Sequence, residues 1–249
     1  FNVSTTAAFV ACACGARVAK HGNRSATRKS GSADLLEAAG VSLELNPSQV
    51  SDCIENVGLG FMFAPGHHSA MKHVIGPRKE IAHKSIFNIL GPLTNPASTP
   101  NQVMGVYDKK WMKPVAEVHQ SLGSKNVMVV HSEDNLDEIS IASKTKVVEL
   151  REGKISEYVI SPEEFGLEFQ SLDGLKVNSP EESLSMAKKA LKGEHSAASS
   201  MVALNAGAAL YVSGVDSSLA EGVERALEGI KQKKGLDKLQ ELSEYSQSF

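Results

Sequence analysis

Three segments in the middle of the chain, QVMGVYD, KKWMKPVAEVHQSLGS and KNVMVVHS, read as strand, helix and strand. Parallel strands cannot be closed by a tight turn; they need a crossover of a dozen or more residues, usually a helix. This order therefore predicts a parallel pair inside an open or mixed sheet, with helices packed against it. Composition agrees: 41% of residues are hydrophobic, only 5% aromatic, and 20 are Gly. Such a core is built from aliphatics and Ala with close backbone approaches, which suits layered α/β packing better than a β-sandwich.

The flanking elements follow from the same patterns. Ser4 or Thr5 is placed to cap an Ala-rich helix running to about Cys14 and ended by Gly15, and ARVAK then reads as a short buried strand. After a polar loop, HGNRSATRKSGS, a helix starts at Ser32 or Ala33, and Asn46-Pro47 opens the next one. LGFMFAP reads as an apolar strand, HSAMKHVIGPRKEIA as a helix interrupted at Gly76-Pro77, and SIFNILGPLTNPAS as a packed connection. TKVVELREG and KISEYVIS alternate around a Gly-containing turn and predict a hairpin. From Pro180 the pattern is helical; the Ala/Gly/Ser faces of SAASSMVALNAGAALYVSG point to a helix buried against the sheet.

With 26 Lys+Arg against 29 Asp+Glu, the net charge of −3 excludes the strongly basic footprint of a dedicated nucleic-acid binder, and the ordinary apolar fraction excludes disorder. No apolar run reaches the length of a membrane span. Cys12, Cys14 and Cys53 are odd in number and lack metal-pair spacing, so they read as small buried hydrophobes in a reducing, cytoplasmic compartment. The chain starts at Phe1 directly in a helix-like segment, which suggests a piece of a longer protein.

Three segments carry candidate chemistry. The loop Lys20, His21, Asn23, Arg24, Ser25, Thr27, Arg28, Lys29, Ser30 and Ser32 gathers cations and donors ahead of a helix N-terminus, where polyphosphate is favoured; the same composition also describes a solvated basic loop. Asn2, Ser4 and Thr5 place short polar groups at a helix start, as a phosphate site or a simple cap. Asp137 and Glu138 follow a strand and can hold Mg²⁺ together with substrate phosphates if they lie in a turn; otherwise they are surface acids. His21 and His68 suit positioning or packing, and no catalytic base is assigned. Met62, Phe63 and Met71 read as core.

Taken in order, FNVST, KHGNRS with SGSADLLEAAG, FMFAPGHHSAMKHVIGPRKE, IFNILGPLTNPA and LDEIS resemble the anthranilate phosphoribosyltransferase family from Phe1 to about Gly166, and more loosely to the end. The resemblance implies an α/β fold with a mixed, largely parallel central sheet flanked by helices, like the large domain of nucleoside phosphorylases and phosphoribosyltransferases, over residues 1–249. It implies transfer of phosphoribose from phosphoribosyl pyrophosphate to the amino group of anthranilate, with Mg²⁺, and a homodimer in the full-length protein. Asn2, Val3, Ser4, Thr5, Lys20, His21, Gly22, Asn23, Arg24, Ser25, Ala26, Thr27, Arg28 and Ser32 would then line the phosphoribosyl pyrophosphate site. Asn23 and Arg78 would bind anthranilate, and Ser4, Asp137 and Glu138 would hold Mg²⁺.

The sequence departs from the family at Thr27-Arg28-Lys29, where small residues are usual, and it begins after the place of the family's GTGGDG loop and N-terminal helical segment. On this basis most of the small helical domain is expected to be missing and turnover by this chain alone to be low. Two other readings share the fold: a pyrimidine nucleoside phosphorylase, whose loop motif differs from KHGNRS, and a non-catalytic nucleic-acid-binding paralogue, which would be more basic and would have lost Asp137 and Glu138.

Overall fold

The structure is a computed structural model that describes residues 1–25, 30–67 and 87–249. Helix α1 (Val3–Ala13) is capped by Asn2, whose Oδ1 accepts the Thr5 N–H at 3.1 Å. The cap is therefore two or three residues earlier than expected: Ser4 and Thr5 lie in the first turn. Asn caps at least as well as Ser or Thr, and starting at Val3 lets that side chain be buried. Strand β1 (Val18–Gly22) is followed by α2 (Ser32–Ala38) and α3 (Pro47–Asn56). As predicted, Asn46 caps α3 with Pro47 in the first turn, and Gln49 completes the capping box at 3.0 and 2.9 Å.

Strand β2 (Leu59–Phe63) pairs in parallel with β1, Val18 opposite Leu59. The expected strand stops at Phe63, because Ala64 and Pro65 open a short helix, α4 (Ala64–His67), where the fixed φ of Pro is already helical. The helix expected from His68 across Gly76-Pro77 falls outside the described residues. The expected packed connection contains a helix, α5 (Phe87–Leu93), with Pro92 in its final turn.

The strand–helix–strand unit forms as predicted. β3 (Asn101–Gly105) crosses through α6 (Met112–Ser121) to the parallel β4 (Asn126–Ser132). The hairpin β5 (Thr145–Arg151) and β6 (Lys154–Ile160) then adds two antiparallel strands, in the order β3-β4-β5-β6. Its turn residues Glu152 and Gly153 both have positive φ, 50° and 73°, the geometry that matches the twist of a two-residue hairpin. The sheet is mixed, as expected. Parallel pairing among the described residues is confined to β1-β2 and β3-β4, which form separate ladders with a cavity between them.

Alternation along β4 divides the interior into two layers. Val127 and Val129, with Val148 and Leu150 of β5, pack against Met112, Val115 and Ala116 of α6. Met128, Val130 and Val147 face the larger core, built on α1, α7 (Pro180–Leu191), α8 (Ser196–Ser213), α9 (Leu219–Lys231) and α10 (Lys234–Ser246). α8 is buried along most of its length, as its small-residue faces predict. At Gly207 of α8 and Gly222 of α9 the backbones approach so closely that a Cβ on Gly222 would lie 2.4 Å from the Gly207 carbonyl oxygen.

Cys12 and Cys53 are buried free thiols, pushed up to about 11 by burial, whereas Cys14 is only partly buried. His119 on α6 is 3% exposed; its Nδ1 lies 3.1 Å from Ser124 Oγ, while its Nε2 is buried without a partner. Burial lowers its pKa, so the unfolded chain binds the proton more readily than the folded one. Stability conferred by neutral His119 is thus present above pH 6.5, its ordinary value, and is lost as pH falls below it. Urea unfolding between pH 5 and 8 is expected to show this acid decline in the parent and a flatter profile in His119→Asn; parallel profiles would refute it.

Candidate active site

A cavity of about 960 Å³ opens between the two ladders, with all of β1 on one side and all of β3 on the other. Ser4, Ala7, Ala8 and Ala11, one face of α1, and Asn205, Ala209, Val212 and Ser213 of α8 complete the wall. Small side chains on two packed helices leave the space open. Asn95 Nδ2 donates to the Ala19 carbonyl at 3.0 Å and so ties the segment after α5 to β1.

Of the residues singled out in the sequence, Ser4, Lys20, His21, Gly22, Asn23, Asp137 and Glu138 line this cavity together. Asn2 contributes as the α1 cap. Val3 and Thr5, expected at the phosphate site, have buried side chains and with Asn2 do not line the cavity; the Thr5 N–H is taken by the Asn2 cap. Ala26, Thr27, Arg28 and Arg78 lie outside the described residues, as do His68 and Met71.

Arg24, Ser25 and Ser32 do not line the cavity. Arg24 points its guanidinium at α2, donating to Glu37 at 2.6 and 2.8 Å and to Asp34 at 3.2 Å, and it sits over the Phe63 ring at 5.7 Å. These partners push its pKa up, the Glu37 hydrogen bonds most. Asp34 organises the loop: it also accepts the N–H groups of Gly31 at 2.8 Å and Ser25 at 3.1 Å. Burial opposes its ionisation, but these donors and Arg24 hold its carboxyl below the usual range. Ser32 closes the turn through its Oγ to the Asn23 carbonyl at 3.2 Å.

Of the cations singled out in the sequence, Lys20 lines the cavity, and Arg17 lines it too. Burial pushes the Lys20 ammonium pKa down, and the Glu138 carboxylate acts in the opposite sense. A charge lining a cavity of this kind is screened less than one in open water and acts more strongly on whatever occupies it.

Asp137 and Glu138 occupy the loop after β4, so the two adjacent side chains can share a site that a regular strand would deny them. The loop is knotted by Asp134. Its carboxylate accepts from Ser132 Oγ and from Ser140 Oγ, the latter at 2.6 Å, and its N–H donates to Ser143 Oγ at 3.2 Å. Gly105, at the end of β3, lies directly under the Asp137 backbone; a Cβ there would be 1.7 Å from the Asp137 carbonyl oxygen. Asp34, Asp134, Gly105 and Asn205 were not singled out by sequence reasoning. Only Asp34 carried a local signal, an acid in the first turn of a helix.

The oxygen donors fit Mg²⁺. Two carboxylates and the Ser4 hydroxyl line one cavity, and among the described residues no group of three or more His, Cys, Asp or Glu gathers to form a closed metal cage. Mg²⁺ is commonly held in this way, by one or two carboxylates, water and substrate phosphates.

Lys20 and the acid pair thus line one cavity of a mixed α/β layer, and the class comes from the match of residues 1–236 to the sequence model of the glycosyl transferase family, a/b domain: the chain is a glycosyl-transferring domain. Within that class the chain belongs to the anthranilate phosphoribosyltransferase family. It is 56% identical over 251 residues to the anthranilate phosphoribosyltransferase of Marinomonas sp. (strain MWYL1), covering 100% of this chain and 72% of that protein. It is 55% identical over 249 residues to that of Hydrogenovibrio crunogenus, covering 100% and 73%.

Solved structures agree. The Thermus thermophilus enzyme superposes with a TM-score of 0.92 at 43% identity, over 99% of this chain and 73% of that one. The Saccharomyces cerevisiae enzyme in complex with PRPP and Mg superposes at 0.89 and 28% identity, over 100% and 70%. The same yeast enzyme in complex with 4-fluoroanthranilate gives 0.88 and 28%, over 100% and 70%.

Proposed function

We propose that this chain carries the α/β domain that transfers the phosphoribosyl group of phosphoribosyl pyrophosphate to the amino nitrogen of anthranilate, giving phosphoribosylanthranilate and pyrophosphate in tryptophan biosynthesis. The observation that carries the reading is the single cavity holding Ser4, Lys20, His21, Asn23, Asp137 and Glu138, in a chain 56% identical to a protein of that name. No observation favours a nucleoside phosphorylase or a nucleic-acid-binding paralogue.

The chemistry follows from the wall. The C–O bond from the anomeric carbon to pyrophosphate breaks, the C–N bond to the amine forms, one amine proton is lost to the departing pyrophosphate or water, and negative charge builds on the departing oxygens. Lys20 and Ser4, at the start of α1, line the cavity where that charge develops, fixed in place before the reaction begins. Asp137, Glu138 and the Ser4 hydroxyl would hold Mg²⁺, which when bound supplies positive charge against the leaving group. Asn23 orients the acceptor, and Arg78 pairs its planar fork with the anthranilate carboxylate. An aromatic amine held in line needs orientation more than a strong base.

Among the described residues no helix is long and apolar enough to cross a membrane. The free cysteines support a reducing, cytoplasmic setting, and a homodimer of the full-length protein is the assembly proposed. Residues 1–249 are assigned to the large domain. The full-length protein is expected to consume anthranilate, followed by its fluorescence, only with phosphoribosyl pyrophosphate and Mg²⁺ present; no consumption would sink the reading. Arg78→Ala should raise the anthranilate KM by at least about tenfold and leave that for phosphoribosyl pyrophosphate nearly unchanged. Equal effects would move Arg78 out of the acceptor pocket.

A further inference from the structure

Asn205 sits within an otherwise small and apolar stretch of α8, only 7% exposed, on the cavity wall. A buried amide must find partners for its oxygen and its NH₂ group. Asn205 finds them on one residue of the facing loop: its Oδ1 accepts the Ile139 N–H at 3.0 Å and its Nδ2 donates to the Ile139 carbonyl at 2.9 Å. The second Nδ2 proton goes to the Met201 carbonyl at 2.8 Å, one turn back on α8, which fixes the rotation of the amide.

Ile139 directly follows Asp137 and Glu138 and is 2% exposed. The acid pair lies in no helix or strand, so no ladder of backbone hydrogen bonds fixes it. The chain on either side of it is held by the Asp134 knot before it and the Asn205 clamp after it, and the Gly105 backbone lies against Asp137 itself. We propose that Asn205 is a positioning residue for the divalent cation: by gripping both backbone groups of Ile139 it holds the Asp137 and Glu138 carboxylates toward the cavity, and so sets cation affinity without touching cation or substrate. The inference rests on Asp137 and Glu138 being the cation's ligands. Groups that orient metal ligands in this way commonly change affinity by about 10- to 100-fold when removed.

A clamp of this kind differs from one that merely joins α8 to the loop, because it acts on the metal selectively. The test titrates Mn²⁺, a paramagnetic stand-in for Mg²⁺, with inorganic pyrophosphate present, into the full chain and into Asn205→Ala, Asn205→Leu and Leu242→Ala. Leu242 is buried in α10, away from the cavity lining, and serves as the control for general destabilisation.

Both Asn205 variants are expected to keep the parent far-UV circular dichroism and to bind Mn²⁺ at least about tenfold more weakly, Leu242→Ala remaining within about twofold of the parent. In the full-length protein the Mg²⁺ activation constant should rise in parallel and the anthranilate KM should not. Parent-like Mn²⁺ affinity in either folded Asn205 variant, an equal loss in Leu242→Ala, or failure of both Asn205 variants to fold would overturn the proposal and leave Asn205 a structural tie. If Mn²⁺ binding is unchanged by Asp137→Asn combined with Glu138→Gln, the reading beneath the proposal falls with it.

Discussion

Asp137→Asn combined with Glu138→Gln is expected to abolish the divalent-cation dependence of the full-length protein and to lower turnover by roughly 10³-fold. Both substitutions keep the shape of the side chains and remove two negative charges from one wall of the cavity. A cation beside a carboxylate near a protein surface gains on the order of 4 kcal/mol from each charge, before desolvation is subtracted. Little of that gain remains once both are amides. Both residues are only partly buried and outside the two core clusters, so the thermal midpoint should stay close to that of the parent. Mn²⁺ binding, Mg²⁺ activation and thermal unfolding of the same preparations separate the effects. Parent-like Mg²⁺ activation in the double variant would remove these residues from the metal site.

The elements readable in the sequence were those fixed by neighbours in the chain. The β3–α6–β4 unit and the β5–β6 hairpin follow from short apolar runs separated by a helical segment or by the Glu152-Gly153 turn, and the start of α3 from Asn46-Pro47. α5 was hidden because Gly91-Pro92 reads as a breaker; Pro92 is tolerated in the last turn, where the helix is already ending. The cap of α1 was displaced because Asn2, Ser4 and Thr5 are all competent caps, and burial of Val3 decided among them.

The site divides in the same way. The cationic loop and the acid pair could be picked out by residue type, but the assignment of each cation could not. Arg24 and Lys20 are equivalent in composition, yet Asp34 and Glu37 on α2 claim the guanidinium while Lys20 faces the cavity. The Asn205 and Gly105 supports of the acid pair were invisible because their partners are distant in sequence. Asn205 reaches Ile139, 66 positions away, and in a sequence an Asn among alanines looks like a tolerated substitution. Gly105 looks like an ordinary strand end until the Asp137 backbone is laid across it.

Gly105→Ala is expected to damage the site more than any other single methyl group added to the cavity wall. Its Cβ would lie 1.7 Å from the Asp137 carbonyl oxygen and 2.4 Å from the carbonyl carbon. Ordinary contact begins at 3.4 Å, so the loop must retreat by about 1.5 Å or more, or β3 must bend away from β4. The obstacle is backbone rather than the end of a flexible side chain, and the Asp134 knot and the Asn205 clamp oppose the retreat. A displacement of about 1 Å at reacting groups can cost on the order of 10² in rate, and overpacking of this kind costs about 1–3 kcal/mol of stability. Gly105→Ala should therefore bind Mn²⁺ more weakly, turn over about 10²-fold more slowly and unfold at lower urea concentration than the parent. The affinity loss should be common to Gly105→Ala and the Asn205 variants, since all three act on the placement of one carboxylate pair. A Gly105→Ala protein with parent-like Mn²⁺ affinity and turnover would show that the loop does not depend on this contact.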